Sequence, residues 1–235
     1  MNEEDKYSNL INDIWVYTGP SLSMEEAKVI APNITILPPA KRGDFVFPSD
    51  SIRPKIIVLI DGAFLNTLTV SPREILNLLK QGIKVIGASS LGAIRATELR
   101  SFGMIGVGRV FEMYRDEIII ADDEVAMSMD PITGSAMSEP LVHFRIIIEK
   151  AKEIGLLNVK DSEELFHKIQ QLYFTERTLA MFYQFASDCL SIEKYNSLLN
   201  MIENFDYRIK RLDAIKAIEK AYEIVNEEKR ENVNT

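Results

Sequence analysis

The chain has one cysteine, Cys189, in 235 residues. A lone thiol makes no intramolecular disulfide and no cysteine-rich zinc site. Histidine is nearly as scarce: His143 and His167 are the only two. Both fall late in the chain, so a His-rich metal centre is not expected and no metal site is assigned. No apolar run approaches the roughly 18 residues of a membrane span. The opening MNEEDKYSNL is polar and acidic, without the apolar stretch of a signal peptide, and residence in the cytoplasm is expected. An excess of positive charge is also missing. The formal net charge is −8, which disfavours nonspecific attraction to nucleic acid or an anionic membrane; neither is expected as a partner.

What is present is an ordinary globular composition, 46% hydrophobic and 26% charged, with enough apolar side chains for a substantial core. The length allows one large domain or one and a half. Along the first half, short β-branched runs alternate with helical patterns. IWVYTG reads as a strand ending in a turn. In SMEEAKVIA, Ser23 stands three residues before Glu26, the spacing of a capping box. ITIL is a short strand closed by Pro38 and Pro39. KIIVLI is a continuous apolar run of the kind buried on both faces of a parallel sheet, and it ends at Asp61-Gly62. SPREILNLLKQG has Ser71 as N-cap, Pro72 at the first helical position and Gly82 past the end. KVIGAS is the next strand, LGAIRATELRSFG the next helix, and EIII (Glu117–Ile120) a further short strand.

Strands alternating with helices of about 10 residues predict an α/β fold with a mainly parallel sheet flanked by helices. From about Pro140 onward, strand signals give way to five segments of helical spacing, an all-helical C-terminal part. The expected division is an α/β core at 1–135 and a helical region at 136–235. The tail EEKRENVNT is expected to fray.

Ala88-Ser89-Ser90-Leu91-Gly92 is a variant of the G-x-S-x-G nucleophile elbow, with Ala in the first glycine position. A strand precedes it and a helix follows. The tight turn needs small flanking residues, here Gly87 and Gly92, and helix N-terminal N–H groups can hold an oxyanion. Small residues serve plain packing at such corners too. Ser90 fits the central position of the pattern, with Ser89 as its neighbour and substitute. A serine needs a base, and with no histidine nearby a lysine is the leading type. Lys84 begins the strand that Ser90 follows, roughly 20 Å away at about 3.3 Å per residue. Lys55 and Lys80 lie at the same wrong edge. Ligands of open α/β sheets bind outside the carboxyl ends of the strands. Residues placed there are Gly19, Pro20 and Ser21; Lys41, Arg42 and Asp44; Asp61 and Gly62; and Arg73 and Glu74. Lys41 is the favourably placed lysine. Arg73 stays protonated and suits an anion rather than a proton. Arg95 and Glu98 follow the elbow, as an ion pair near the site or on a helix surface. Gly103, Gly106 and Gly108 read as a close-packed turn, not a nucleotide fingerprint. Asp122-Asp123-Glu124 reads as an acidic first turn rather than a metal site.

The successive motifs TGPSLSMEEA, PPAKRGD, IDGAF, GASSLGAIRATEL, FGMIGVGRVFEMYRD and DDEVA, spanning about Ile14 to Val125, resemble the TfuA-like family. The resemblance implies a YcaO enzyme as partner, in backbone thioamidation of a peptide or protein, and a ThiS-like sulfur-carrier protein as substrate. It implies hydrolysis of the carrier's thiocarboxylate to release sulfide, by a hydrolase-like Ser–Lys pair in an unusual α/β fold, with no cofactor. A non-catalytic adaptor of YcaO is the other role it allows. Carried over, the serine falls within Ser89-Ser90, and the edge placement favours Lys41 as base. Two departures stand out. Many relatives have His-Lys-Glu-Ile where this chain has Pro72-Arg73-Glu74-Ile75. The family's Tyr-Arg-Asp-Gly appears here as Tyr114-Arg115-Asp116-Glu117.

Overall fold

The computed structural model describes residues 13–48, 51–64 and 68–233. The segment MNEEDKYSNL and the last two residues of the tail lie outside them. Two compact units form, one within Met1–Ile120 and Lys210–Thr235, the other Ala121–Ile209.

In the first unit, β1 (Ile14–Tyr17), β2 (Thr35–Leu37), β3 (Ile56–Leu59), β4 (Lys84–Gly87) and β5 (Ile105–Gly106) build a five-stranded, all-parallel sheet in the order β2-β1-β3-β4-β5. The connecting helices are α1 (Met24–Ile30), α2 (Pro72–Lys80) and α3 (Leu91–Leu99), with α4 (Arg109–Arg115) after β5. This is the mainly parallel, helix-flanked sheet expected. β3 explains its own apolar run, because all four of its residues are fully buried. Alternation of side chains sends Ile56 and Val58 to one face, with Ile14, Val16 and Ile86, where they pack against Ala27 and Ala31. The opposite face takes Ile57, Leu59 and Val85, and α2 and α3 lie against β4.

Capping places the helix starts as the sequence predicts, with one difference. Ser71 and Glu74 form a complete capping box. Ser23 accepts from the Glu26 N–H, but the Glu26 carboxylate is drawn to Arg211, whose Nε donates to it at 2.7 Å. No strand forms at EIII. Asp116 caps α4 and Glu117 turns left-handed at φ 57°, which breaks the extended run. The glycine-rich turn instead contributes the short edge strand β5, paired with β4.

The second unit holds α5 (Leu141–Glu153), α6 (Val159–Gln170), α7 (Leu179–Cys189) and α8 (Ile192–Glu203) around Phe144, Ile147, Leu165, Ile169, Phe182 and Leu198. The acidic triplet Asp122–Glu124 is a 3-10 turn. Glu124 receives two hydrogen bonds from Arg145 at 2.8 and 2.6 Å, and Asp123 one from Arg177 at 2.7 Å. These pairings commit residues 121–135 to the helical unit. Conversely, the last helix, α9 (Ile209–Val233), belongs with the sheet from Lys210 onward. Its stripe Ala214, Ala217, Ile218 and Ala221 enters the core of β1, β3 and β4, where small side chains allow close approach. The division therefore differs from 1–135 and 136–235, and the tail is helical to Val233. Among the described residues no helix is long and apolar enough to cross a membrane.

Candidate active site at the carboxyl edge of the sheet

The turn after β4 is built by exclusion of side-chain volume. A Cβ on Gly92 would lie 1.8 Å from the Leu59 carbonyl oxygen, and one on Gly87 would lie 2.1 Å from the Gly92 oxygen. Only glycine at both positions lets α3 start directly against β3 and β4. Between them the chain reverses over Ser89. The Ser90 N–H donates to the Ala88 carbonyl at 2.7 Å, closing a three-residue turn around Ser89 at φ 65°. This is the γ-turn of positive φ, rare and strained for a residue with a Cβ. Ser90 is the N-cap of α3, and its side chain makes no cap hydrogen bond. Both serines are buried, 0% and 1% exposed. The Leu91 N–H opens the first turn of α3, where no intrahelical acceptor exists.

The Ser89 hydroxyl donates to the Lys210 carbonyl at 2.8 Å. Lys210, in the first turn of α9, is only 1% exposed and among the largest fully buried side chains of the chain. One turn further along α9, the buried Asp213 carboxylate accepts from the Arg109 and Val110 N–H groups at 2.9 and 2.7 Å, capping α4. Gly108 makes room for it, since a Cβ there would lie 2.2 Å from the carboxyl carbon. Burial pushes the Asp213 carboxyl up to about 6, against the pull of those two N–H groups and Lys216.

The neighbouring loops gather at the same edge. Asp61, after β3, is buried, and its carboxylate accepts from Gly19 N–H at 2.9 Å, Ser21 N–H at 2.9 Å and the Ser21 hydroxyl at 2.6 Å. It fastens the β1–α1 loop, including Pro20, across the point where strand order reverses. Gly62 forms a bridge with Ala40, and a Cβ on it would lie 2.3 Å from the Leu91 side chain. Gly62 thus joins the Lys41 loop to the elbow. Within that loop Asp44 accepts from the Lys41 N–H at 2.9 Å, and Arg42 reaches the Thr69 carbonyl through Nε. Glu74 closes its capping box and also accepts from the Gly43 N–H at 2.7 Å. Burial alone would raise its carboxyl, but the Ser71 and Gly43 hydrogen bonds and the Arg42 charge bring it below the usual range. Arg95 donates through Nε to the Val70 carbonyl and pairs with Glu98 at 2.7 Å.

The sequence-expected residues therefore fall into groups. Ser89, Ser90, Gly87 and Gly92 form the elbow. Asp61 with Gly19 and Ser21, and Glu74 with Gly43, are clamps that hold the loops around it. Arg42 and Arg95 tether the segment 68–70. Lys41 and Arg73 are exposed at the rim. Lys210 and Asp213 are the residues that sequence reading passed over. Their signal was present: both fall in phase with the apolar stripe of α9, where a charged side chain is out of place. His143 is not spare, since its Nδ1 meets Glu139 at 2.6 Å. No group of acidic, histidine or cysteine residues suited to a metal occurs among the described residues.

A family model described as TfuA-like protein matches residues 61–178, about half the chain, from Asp61 through the elbow and into the helical unit. No curated protein matches the chain.

Proposed function

The chain belongs to the TfuA-like family, and from that premise we propose that it hydrolyses the C-terminal thiocarboxylate of a ThiS-like sulfur carrier. The sulfide released serves a YcaO enzyme that installs backbone thioamides. The observation that carries this reading is the strained turn at Ser89, whose hydroxyl donates to the backbone carbonyl of the buried Lys210.

The attacking hydroxyl in this reading is Ser89, whose left-handed conformation is the strained element of a nucleophile elbow. This moves the preference from Ser90, which keeps the second place. Lys210 takes the role first given to Lys41. Lys210 is buried and its carbonyl accepts from the Ser89 hydroxyl, whereas Lys41 is exposed at the rim. The Lys210 amine accepts the Ser89 proton as Oγ bonds to the thioacid carbonyl carbon. The Leu91 N–H holds the resulting oxyanion. The carbon–sulfur bond breaks, sulfur leaves as hydrogen sulfide with the proton returned by Lys210, and a serine ester remains. Water then gives a proton to the same amine and attacks the ester. The carbon–Oγ bond breaks, Ser89 regains its proton, and the carrier leaves as a carboxylate. Arg42 and Arg73, at the rim, suit the anionic carrier tail, and the glycine-lined loops suit a narrow Gly-Gly terminus.

One observation favours the second reading, a non-catalytic adaptor that supports YcaO or recruits its substrate. The Ser89 hydroxyl is wholly buried and already spent on the Lys210 carbonyl. Sulfide release from a thiocarboxylated carrier, measured beside YcaO binding for Ser89→Ala and Ser90→Ala, separates the two. Lost release in Ser89→Ala with binding retained supports the hydrolase. Unchanged release in both variants removes both serines from the mechanism, and wild type that binds YcaO without releasing sulfide leaves the adaptor.

A further inference from the structure

We propose that Asp61 is a positioning residue of the elbow: its carboxylate is a built-in anion that seats the first turn of α3 and so aims the Leu91 N–H. This rests on the hydrolase reading above, in which that N–H holds the oxyanion. Asp61 acts through Leu91 and touches no reacting atom.

The loop after β1 is built to receive an anion. Pro20 has no N–H, and the N–H groups on either side of it, from Gly19 and Ser21, both donate to Asp61 Oδ2 at 2.9 Å. The Ser21 hydroxyl donates to Oδ1 at 2.6 Å. Backbone N–H groups converging on one point form the nests that bind anions. Asp61 is 2% exposed, and all three of these donors are neutral, so hydrogen bonds from the loop offset the burial of its charge. The strand order β2-β1-β3 puts this contact at the switch point of the sheet, where ligands of open parallel sheets enter. Here the protein's own carboxylate occupies the place.

The backbone on each side of Asp61 grips α3. The Ile60 carbonyl accepts from the Gly92 N–H at 3.3 Å. Gly62 lies so close to Leu91 that a Cβ on it would fall 2.3 Å from the Leu91 side chain. Leu91 and Gly92, which open α3, thus rest on residues 60–62, with Asp61 at the centre of that seat. Backbone bonds fix the seat along the strands: the Asp61 N–H donates to the Tyr17 carbonyl at 3.2 Å, and the Ala40 N–H donates to the Asp61 carbonyl at 2.9 Å. The carboxylate fixes it to the β1–α1 loop. An amide in its place has one acceptor oxygen and turns an NH₂ towards the remaining donors, so asparagine fits only by displacing the loop or the seat. A displaced seat moves the Leu91 N–H, and misplacing a catalytic group by about 1 Å costs about 100-fold.

The test compares full-length wild type, Asp61→Asn and Asp61→Ala, well below their melting temperatures so that folded protein is measured. It reads sulfide release from a thiocarboxylated carrier and the backbone amide resonances of nitrogen-15-labelled protein. Asp61→Asn is expected to lower kcat about tenfold or more with KM within about twofold. It is also expected to shift the Leu91 amide resonance and to leave those of α6 in place. A role confined to stability lowers the melting temperature and leaves the kcat of folded protein unchanged, a result that overturns the proposal. Formate added to Asp61→Ala supplies the missing carboxylate and is expected to return both kcat and the Leu91 resonance towards wild type; formate without effect on either overturns the built-in anion. If wild type releases no sulfide, the hydrolase reading fails by itself, and an unmoved Leu91 resonance in both variants then overturns the seat. Should neither variant fold, Ser21→Ala removes one donor and keeps the carboxylate: a shifted Leu91 resonance supports the seat and an unmoved one overturns it.

Discussion

Ser89 and Lys210 are 121 positions apart in sequence and joined by a 2.8 Å hydrogen bond from hydroxyl to carbonyl. The bond fixes the start of the last helix against the turn that follows β4. It brings a buried lysine to a strained serine, and it makes the final segment of the chain part of the candidate site.

Replacing Lys210 by methionine keeps the volume and removes the amine. The expected result is a folded protein whose sulfide release from a thiocarboxylated carrier falls by about 100-fold or more, the scale of a lost general base. Lys41→Ala is expected to retain release within about twofold, because Lys41 is exposed at the rim while both elbow serines are buried. A fully active Lys210→Met protein would remove Lys210 from the mechanism.

Asp213 gives stability an unusual pH dependence. Its carboxyl is raised from 3.8 to about 6 on folding, chiefly by burial. The native state therefore binds the proton first, and this group favours folding increasingly as pH falls from about 6 towards 4. The contribution is at most about 3 kcal/mol, and it is lost as pH rises through the folded value. Urea unfolding of wild type and Asp213→Asn at pH 4.5 and 7 checks the sign. Relative to the variant, wild type should be more stable at the lower pH, and the reverse order would sink the assignment.

Gly92→Ala places a methyl group 1.8 Å from the Leu59 carbonyl oxygen, a backbone atom that cannot swing aside. The expected cost is about 3 kcal/mol or more, read as a lower urea midpoint. The elbow would be displaced from the sheet edge at the same time, so activity should fall with stability. Stability near wild type would show that α3 starts further from β3 than described.

Glu117 occupies a left-handed position, φ 57°, on the surface. Glu117→Gly relieves about 1 kcal/mol of backbone strain, partly offset by the entropy of glycine in the unfolded chain. A small gain of about 0.5 kcal/mol in unfolding free energy is expected, without change in activity.

Much of the fold was legible in local pattern. The fully apolar run of β3, the Ser71–Glu74 capping box and the small residues around Ser89 each name their own structure. EIII was misread because its composition suits a strand, while the left-handed turn at Glu117 denies it extension. The two-residue strand β5 was missed because it is too short to show a period. Among site residues, the glycines and serines of the elbow were visible because the turn demands them by volume.

The sequence by itself determined the parallel sheet, the elbow and the edge on which the candidate site lies, since periodicity and steric demand are local. Only the tertiary structure decided that Ser89 takes the strained turn and that Lys210 is buried beside it. It also placed Asp213, a carboxylate 104 positions from Arg109, on the first turn of α4. These pairings arise because α9 lays its alanine-rich stripe on the sheet, and packing across so long a stretch of chain leaves only a faint mark in local pattern: two charges on a face that ought to have none.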